Sequence, residues 1–152
     1  QTCALPIWAQ LLAGAYGGKY EHSPEREIGV FPLTLTEEGL ADEHIKDFGS
    51  TLNTGHWHGD MPGLTDKAVV LATSQGCPRQ IVRFSPKHYA FQAHLEFDLE
   101  AIDLLIAADG EEHLCQQNKQ LPFVQTPDQL RKNDYSEMNK KLFAFLDSLI
   151  QI

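Results

Sequence analysis

Between residues 68 and 93 lie three short apolar runs, 68–73, 80–84 and 88–93, separated only by Ser74-Gln75-Gly76-Cys77-Pro78 and Ser85-Pro86-Lys87. Gly, Pro and Ser clustered between apolar runs are turn chemistry, so this stretch predicts a β-meander. Residues 27–36 read as a further strand, with Ile28, Val30, Leu33 and Leu35 apolar and Pro32 marking an edge or bulge. Residues 50–57 read as another strand, which leads into a turn-rich segment at 58–63, while 37–48 read as polar helix or loop. Helical periodicity appears at 8–16 and at 98–108, where Asp98 is a candidate N-cap and Ile102, Leu105 and Ile106 share a face. Beyond Asp109-Gly110 the chain turns polar until a last amphipathic helix at 135–150, whose stripe of Met138, Leu142, Phe145, Leu146 and Leu149 predicts a docking face. Strands interleaved with helices in this way predict an α/β sheet with an irregular β-rich insertion.

The meander ends on Gln92-Ala93-His94-Leu95-Glu96. In extended backbone, residues i and i+2 project to one side, so Gln92, His94 and Glu96 share a face. An imidazole that can take a proton, oriented by a carboxylate, is the working part of a nucleophile-base-acid triad. The same pair also occurs as a surface ion pair or a hydrogen-bonded core residue, so its meaning depends on what stands beside it. Two other segments stand out: Trp8 to Lys19, a short helix closed by glycines, and Gly55-His56-Trp57-His58-Gly59-Asp60. The second contains His56-x-His58-x-Asp60, a spacing of dinuclear zinc hydrolases, for which His94 and Glu96 could be further ligands; the histidine that would follow is replaced by Met61.

Length and composition fit one globular domain: 152 residues, 42% apolar and 22% charged. A formal charge of −9 argues against nucleic acid or an anionic membrane surface as partner, since both call for clustered Lys and Arg. No run approaches the roughly 18 apolar residues of a membrane helix and no signal peptide is visible, so the expected setting is cytoplasmic. Cys3, Cys77 and Cys115 have neither pairing logic nor metal-ligand spacing, and Cys77 reads as a small, semi-buried thiol.

Taken together and in this order, Trp8 to Lys19, Gly55 to Asp60 and Gln92 to Glu96 resemble the class I (triad) glutamine amidotransferases, particularly the amidotransferase domain of GMP synthase. The resemblance covers roughly residues 8–110. It implies a flavodoxin-like α/β sheet flanked by helices, lacking here its first strands and the glycine-bearing loop that completes the oxyanion hole. Residues 8–110 would be the C-terminal part of that domain, and 111–152 an extension carrying the amphipathic helix. The implied reaction is hydrolysis of the glutamine side-chain amide by a Cys-His-Glu triad, with His94 moving the proton and Glu96 orienting it. Gln10 matches the residue beside the glutamine site. Trp57 and His58 align with the Ser-His of Ser-His-Gly-Asp, whose backbone holds the amino-acid end of the substrate. Glutamine is the implied substrate and a synthase or other ammonia acceptor the implied partner, with no cofactor and no metal ligand.

The chain departs from this family at the position that carries the chemistry. The family's turn motif is G-x-C-x-G-x-Q, and with Gln10 as its glutamine the nucleophile position falls on Pro6 and the second glycine on Trp8. Cys3 cannot stand in, because a three-residue shift with a proline between would turn its thiol away from the elbow. Residues 1–7 read as the translated end of a common short-read sequencing adapter, and are expected to be foreign to the gene. As written, the chain is then expected to be an inactive, truncated fragment and poorly soluble alone. Three alternatives stand beside the amidotransferase reading: a non-catalytic relative kept for binding, γ-glutamyl peptide hydrolysis on the same scaffold, and the zinc metallohydrolase built on His56, His58 and Asp60.

Overall fold

The computed structural model describes residues 5–150, with side chains from residue 8 onward; Cys3 lies outside the described residues. Its frame is one long antiparallel pair, β1 (Glu21–Leu35) and β2 (Thr51–Met61), in register from Glu21 opposite Met61 through Ile28 opposite Trp57 to Thr34 opposite Thr51. The register shifts between His22 and Glu27, a bulge that separates an exposed outer end from a buried inner one. The segment expected to turn at residues 58–63 instead stays extended through Met61. Its Gly and Asp are weak strand formers, but pairing with β1 overrides that local preference.

β3 (Val69–Thr73), β4 (Ile81–Ser85) and β5 (His88–Phe91) complete a five-stranded sheet in the order β2-β1-β3-β4-β5, with every pair antiparallel. This is the expected meander. β3 meets β1 only at Thr34 and Leu35, so most of that flank of β1 is free for other partners. Ile28 exchanges backbone hydrogen bonds with Phe123 and Gln125, and the Gln125 amide continues the ladder by accepting from Val30 N at 3.1 Å. Such a flank tolerates Pro32, which cannot donate. Gly29 has φ +145, and a Cβ there would strike the Gln125 side chain.

Helices cover both faces of the curled sheet. α1 (Leu5–Ala15) lays Ala9 and Ala13 on Val82, Phe84 and Ala90. The opposite face holds the main core, where Ile28, Leu33, Leu71, Ile81 and Leu95 meet Ile102 and Ile106 of α3 (Leu99–Asp109) and Met138 and Phe145 of α6 (Ser136–Ile150). Asp98 caps α3 as expected, accepting from Ala101 N at 2.8 Å. α2 (Glu37–Ala41), capped by Thr36, is followed by a short 3-10 turn, Lys46–Phe48. The region read as simply polar folds into α4 (Glu111–Asn118) and α5 (Pro127–Lys132), the latter opened by a capping box between Thr126 and Gln129. On α6 the docking stripe is narrower than expected: Met138 and Phe145 are buried and Leu142 and Leu149 pack at the margin, while Leu146 is exposed. Among the described residues, no helix is long and apolar enough to cross a membrane.

Candidate active site

His94 is placed by backbone. After β5 the chain crosses back to β2, where His94 N donates to Gly55 O at 2.8 Å and Gly55 N donates to His94 O at 3.0 Å. Gly55 has no side chain because none would fit: a Cβ would collide with the Phe97 ring and the His94 carbonyl. Phe97 in turn stacks on the His94 imidazole, with ring centroids 4.3 Å apart and planes within 10°. The imidazole is thereby held flat and buried, with Nδ1 2.6 Å from Glu96 Oε1. Its other nitrogen, Nε2, is buried without a hydrogen-bond partner among the described residues. Burial raises the Glu96 carboxyl, but the hydrogen bond from His94 and its charge outweigh this and bring it below the usual glutamate range.

The other residues singled out in the sequence divide between two cavities. His94 and Glu96 line one of about 380 Å³ with Trp8, Ala9 and Leu12 of α1. Gln10, Trp57 and His58 line another, of about 510 Å³, with Arg26 and Asp60. α1 contributes to both, and a hydrogen bond from Gln10 Nε2 to Gln92 Oε1 at 3.1 Å ties that helix to the strand end bearing His94. Pro6 lies in the first turn of α1, where a missing N–H leaves no helical hydrogen bond unmade.

The His56-x-His58-x-Asp60 set does not assemble. Asp60 lies past the β1 bulge, is half-buried, and pairs with the exposed His22 at 2.6 Å. His56 and His58 instead turn inward onto Glu27, the residue opposite His58 in the β1-β2 register. Glu27 accepts from Ser74 Oγ at 2.7 Å, Gly76 N at 3.2 Å and Gln80 Nε2 at 2.6 Å. Burial raises the Glu27 carboxyl against those donors. Burial, and next the His58 ring, hold His56 well below the usual histidine range; burial and then His94 bring His58 down to about 3. Glu27, Ser74 and Gln80 were not visible as site residues in the sequence, because nothing near them announces a partner that only strand register supplies. Cys77 is fully buried, and burial pushes its thiol up to about 12.

A curled antiparallel sheet flanked by helices, with buried His94 paired to the more exposed Glu96 beside the first helix of the described residues, makes this chain similar to proteins named as glutamine amidotransferases. It is 49% identical over 143 residues to the glutamine amidotransferase-like protein YfeJ of Salmonella typhimurium, covering 94% of this chain and 59% of YfeJ. The crystal structure of SMU.1228c superposes with a TM-score of 0.91 at 52% identity, over 94% of this chain and 60% of that one. A glutamine amidotransferase from Methylobacillus flagellatus shares the fold, with a TM-score of 0.82 at 23% identity over 94% of this chain and 59% of its own. The chain thus spans about three fifths of the length of the relatives it matches. No protein-family profile matches it.

Proposed function

We propose that this chain is the base-bearing part of a glutamine amidotransferase: a scaffold for hydrolysing the glutamine side-chain amide with His94 as base and Glu96 as its orienting carboxylate. The observation that carries the reading is the His94 to Glu96 contact of 2.6 Å beside a cavity also lined by the start of α1, the helix that would follow the nucleophile. In an extended protein with cysteine where this chain has Pro6, His94 takes the thiol proton and the resulting thiolate attacks the carboxamide carbon. His94 then gives a proton to the departing ammonia and afterwards takes one from the water that cleaves the glutamyl thioester. Glu96 keeps the His94 tautomer fixed throughout, and the plane of Phe97 prevents the ring from tilting. The neighbouring cavity with Gln10, Trp57 and His58 is assigned to the amino-acid end of glutamine. Ammonia passes to an acceptor supplied by a synthase partner, and the setting is cytoplasmic.

With Pro6 at the nucleophile position, the chain as written has no glutaminase activity, which favours a binding role as the second reading. The test is a protein extended to the length of its relatives with cysteine at position 6, assayed for glutamate release from glutamine. His94→Ala in that protein is expected to lower kcat by about 10²- to 10⁴-fold, the usual contribution of a positioned base. Turnover indifferent to that substitution would overturn the assignment.

A further inference from the structure

We propose that Glu27, His56 and His58 form a buried binding site for one zinc-class divalent cation, separate from the His94 site and serving to hold β1, β2 and the 74–80 turn together. The three facing atoms are Glu27 Oε2, His56 Nδ1 and His58 Nε2. Their separations are 3.5 Å from Glu27 to His56, 3.4 Å from Glu27 to His58 and 3.4 Å between the two histidines. Those lengths are long for hydrogen bonds and match a different geometry. Ligands about 2.0–2.1 Å from a tetrahedral zinc stand roughly 3.3–3.4 Å from one another. All three side chains are fully shielded from solvent, and two imidazoles with one carboxylate favour zinc over magnesium or calcium.

The hydrogen bonds around the cluster point the same way. Thr54 Oγ1 lies 3.0 Å from His56 Nε2, so a proton on that outer nitrogen leaves the Nδ1 lone pair turned to the centre. A carboxylate oxygen and imidazole lone pairs then converge where the main proton source is the Gln80 amide. Its Nε2 has two hydrogens but four neighbours, at 2.6 Å (Glu27), 2.8 Å (Ser74), 3.1 Å (His56) and 3.3 Å (His58). Among the described residues, Gln80 Oε1 and His58 Nδ1 are meanwhile buried without hydrogen-bond partners. Turning the amide over would offer Oε1 as a fourth ligand, an orientation that a cation favours and the carboxylate alone repels. Cavities of about 240 and 510 Å³ are lined by Glu27 and His58 respectively, although the three side chains themselves are shielded from solvent.

The site differs from a His56-His58-Asp60 centre in its carboxylate; it shares His58 with the wall of the cavity assigned to glutamine, but its test reads metal binding and not turnover, so the two readings fail separately. The test uses the full, untagged chain, stripped by chelator and dialysed. Zinc is titrated in competition with a chromophoric chelator, and Co²⁺ is substituted to record its visible spectrum. The expected result is one equivalent bound, with tetrahedral cobalt bands and no thiolate charge-transfer band. Glu27→Gln and His58→Gln, checked for folding by circular dichroism, are expected to weaken binding by more than about 100-fold, because even supporting partners of a ligand are worth 10- to 100-fold. Asp60→Asn is expected to leave stoichiometry and affinity unchanged. Less than stoichiometric binding by the unsubstituted chain, a cobalt spectrum with thiolate character, or full binding retained in folded Glu27→Gln would each overturn the proposal. If neither substituted chain folds, the wild-type stoichiometry and cobalt spectrum still decide it.

Discussion

Two opposing influences act on Glu96: burial, which favours its neutral form, and His94, which favours its charge, with the second winning. A carboxyl whose folded-state pKa is depressed stabilises the fold above its ordinary value and loses that contribution as pH falls through the folded value. The ordinary value is 4.5, so Glu96→Gln is expected to be less stable than the parent at neutral pH, with the gap narrowing steadily below about pH 4.5. Urea midpoints across that range measure it, and a gap independent of pH would show that the carboxylate contributes shape and not charge. At this scale the sequence was legible where partners are two residues apart: His94 and Glu96 share a side of extended chain and do touch. His56 and His58 also share a side, as spacing predicts, but spacing could not say what they face. Asp60 was the local candidate; Glu27, on another strand, is the actual neighbour, because register across β1 and β2 brings it there.

Elements were legible in proportion to how strongly their own residues specify them. Turn clusters at 74–78 and 85–87 dictate the meander, and Asp98 dictates where α3 begins. By contrast, α4 and α5 lack a strong apolar stripe and gain their helicity from packing: Leu114 and Leu130 each bury fully against the main core. The capping box at Thr126 was the signal that could have revealed α5. One joint sensitive to a single atom is that between α2 and β3. Thr36 N donates to Leu71 O at 3.0 Å, and Gly39 sits so close to that carbonyl that a Cβ would run into it. Gly39 has ordinary helical backbone, so alanine would be favoured there by propensity alone. Contact outweighs propensity, since propensity is worth about 1 kcal/mol and an unrelieved backbone clash typically costs about 1–3 kcal/mol or more. Gly39→Ala is therefore expected to lower stability, read as a reduced urea midpoint at unchanged slope, while Gly14→Ala, whose Cβ would meet nothing within 4 Å, is expected to be neutral or stabilising.

For the molecule as a whole, what matters is which surfaces the chain leaves uncovered. α1 buries Ala9 and Ala13 but exposes Trp8 (65%) and Leu11 (55%), each of which also lines one of the two candidate cavities. α6 exposes Phe143 (66%) and Ile150 (75%), and β2 and β5 end the five-stranded order. Single exposed apolar residues are ordinary, but exposed aromatic residues on the helices packed against β5 and β2 make an associating surface. A net charge of −9 opposes association through repulsion, and that repulsion weakens with salt, whereas apolar contact does not. The chain alone is thus expected to self-associate increasingly from low to moderate salt, seen as a concentration-dependent mass in light scattering. The extended protein used to test glutaminase activity should show less association if its added length covers α1. A monodisperse monomer with one sharp, cooperative melt at all salt concentrations would mean that Trp8 and Leu11 need no cover, and that this three-fifths of the relatives' length is a folding unit in its own right.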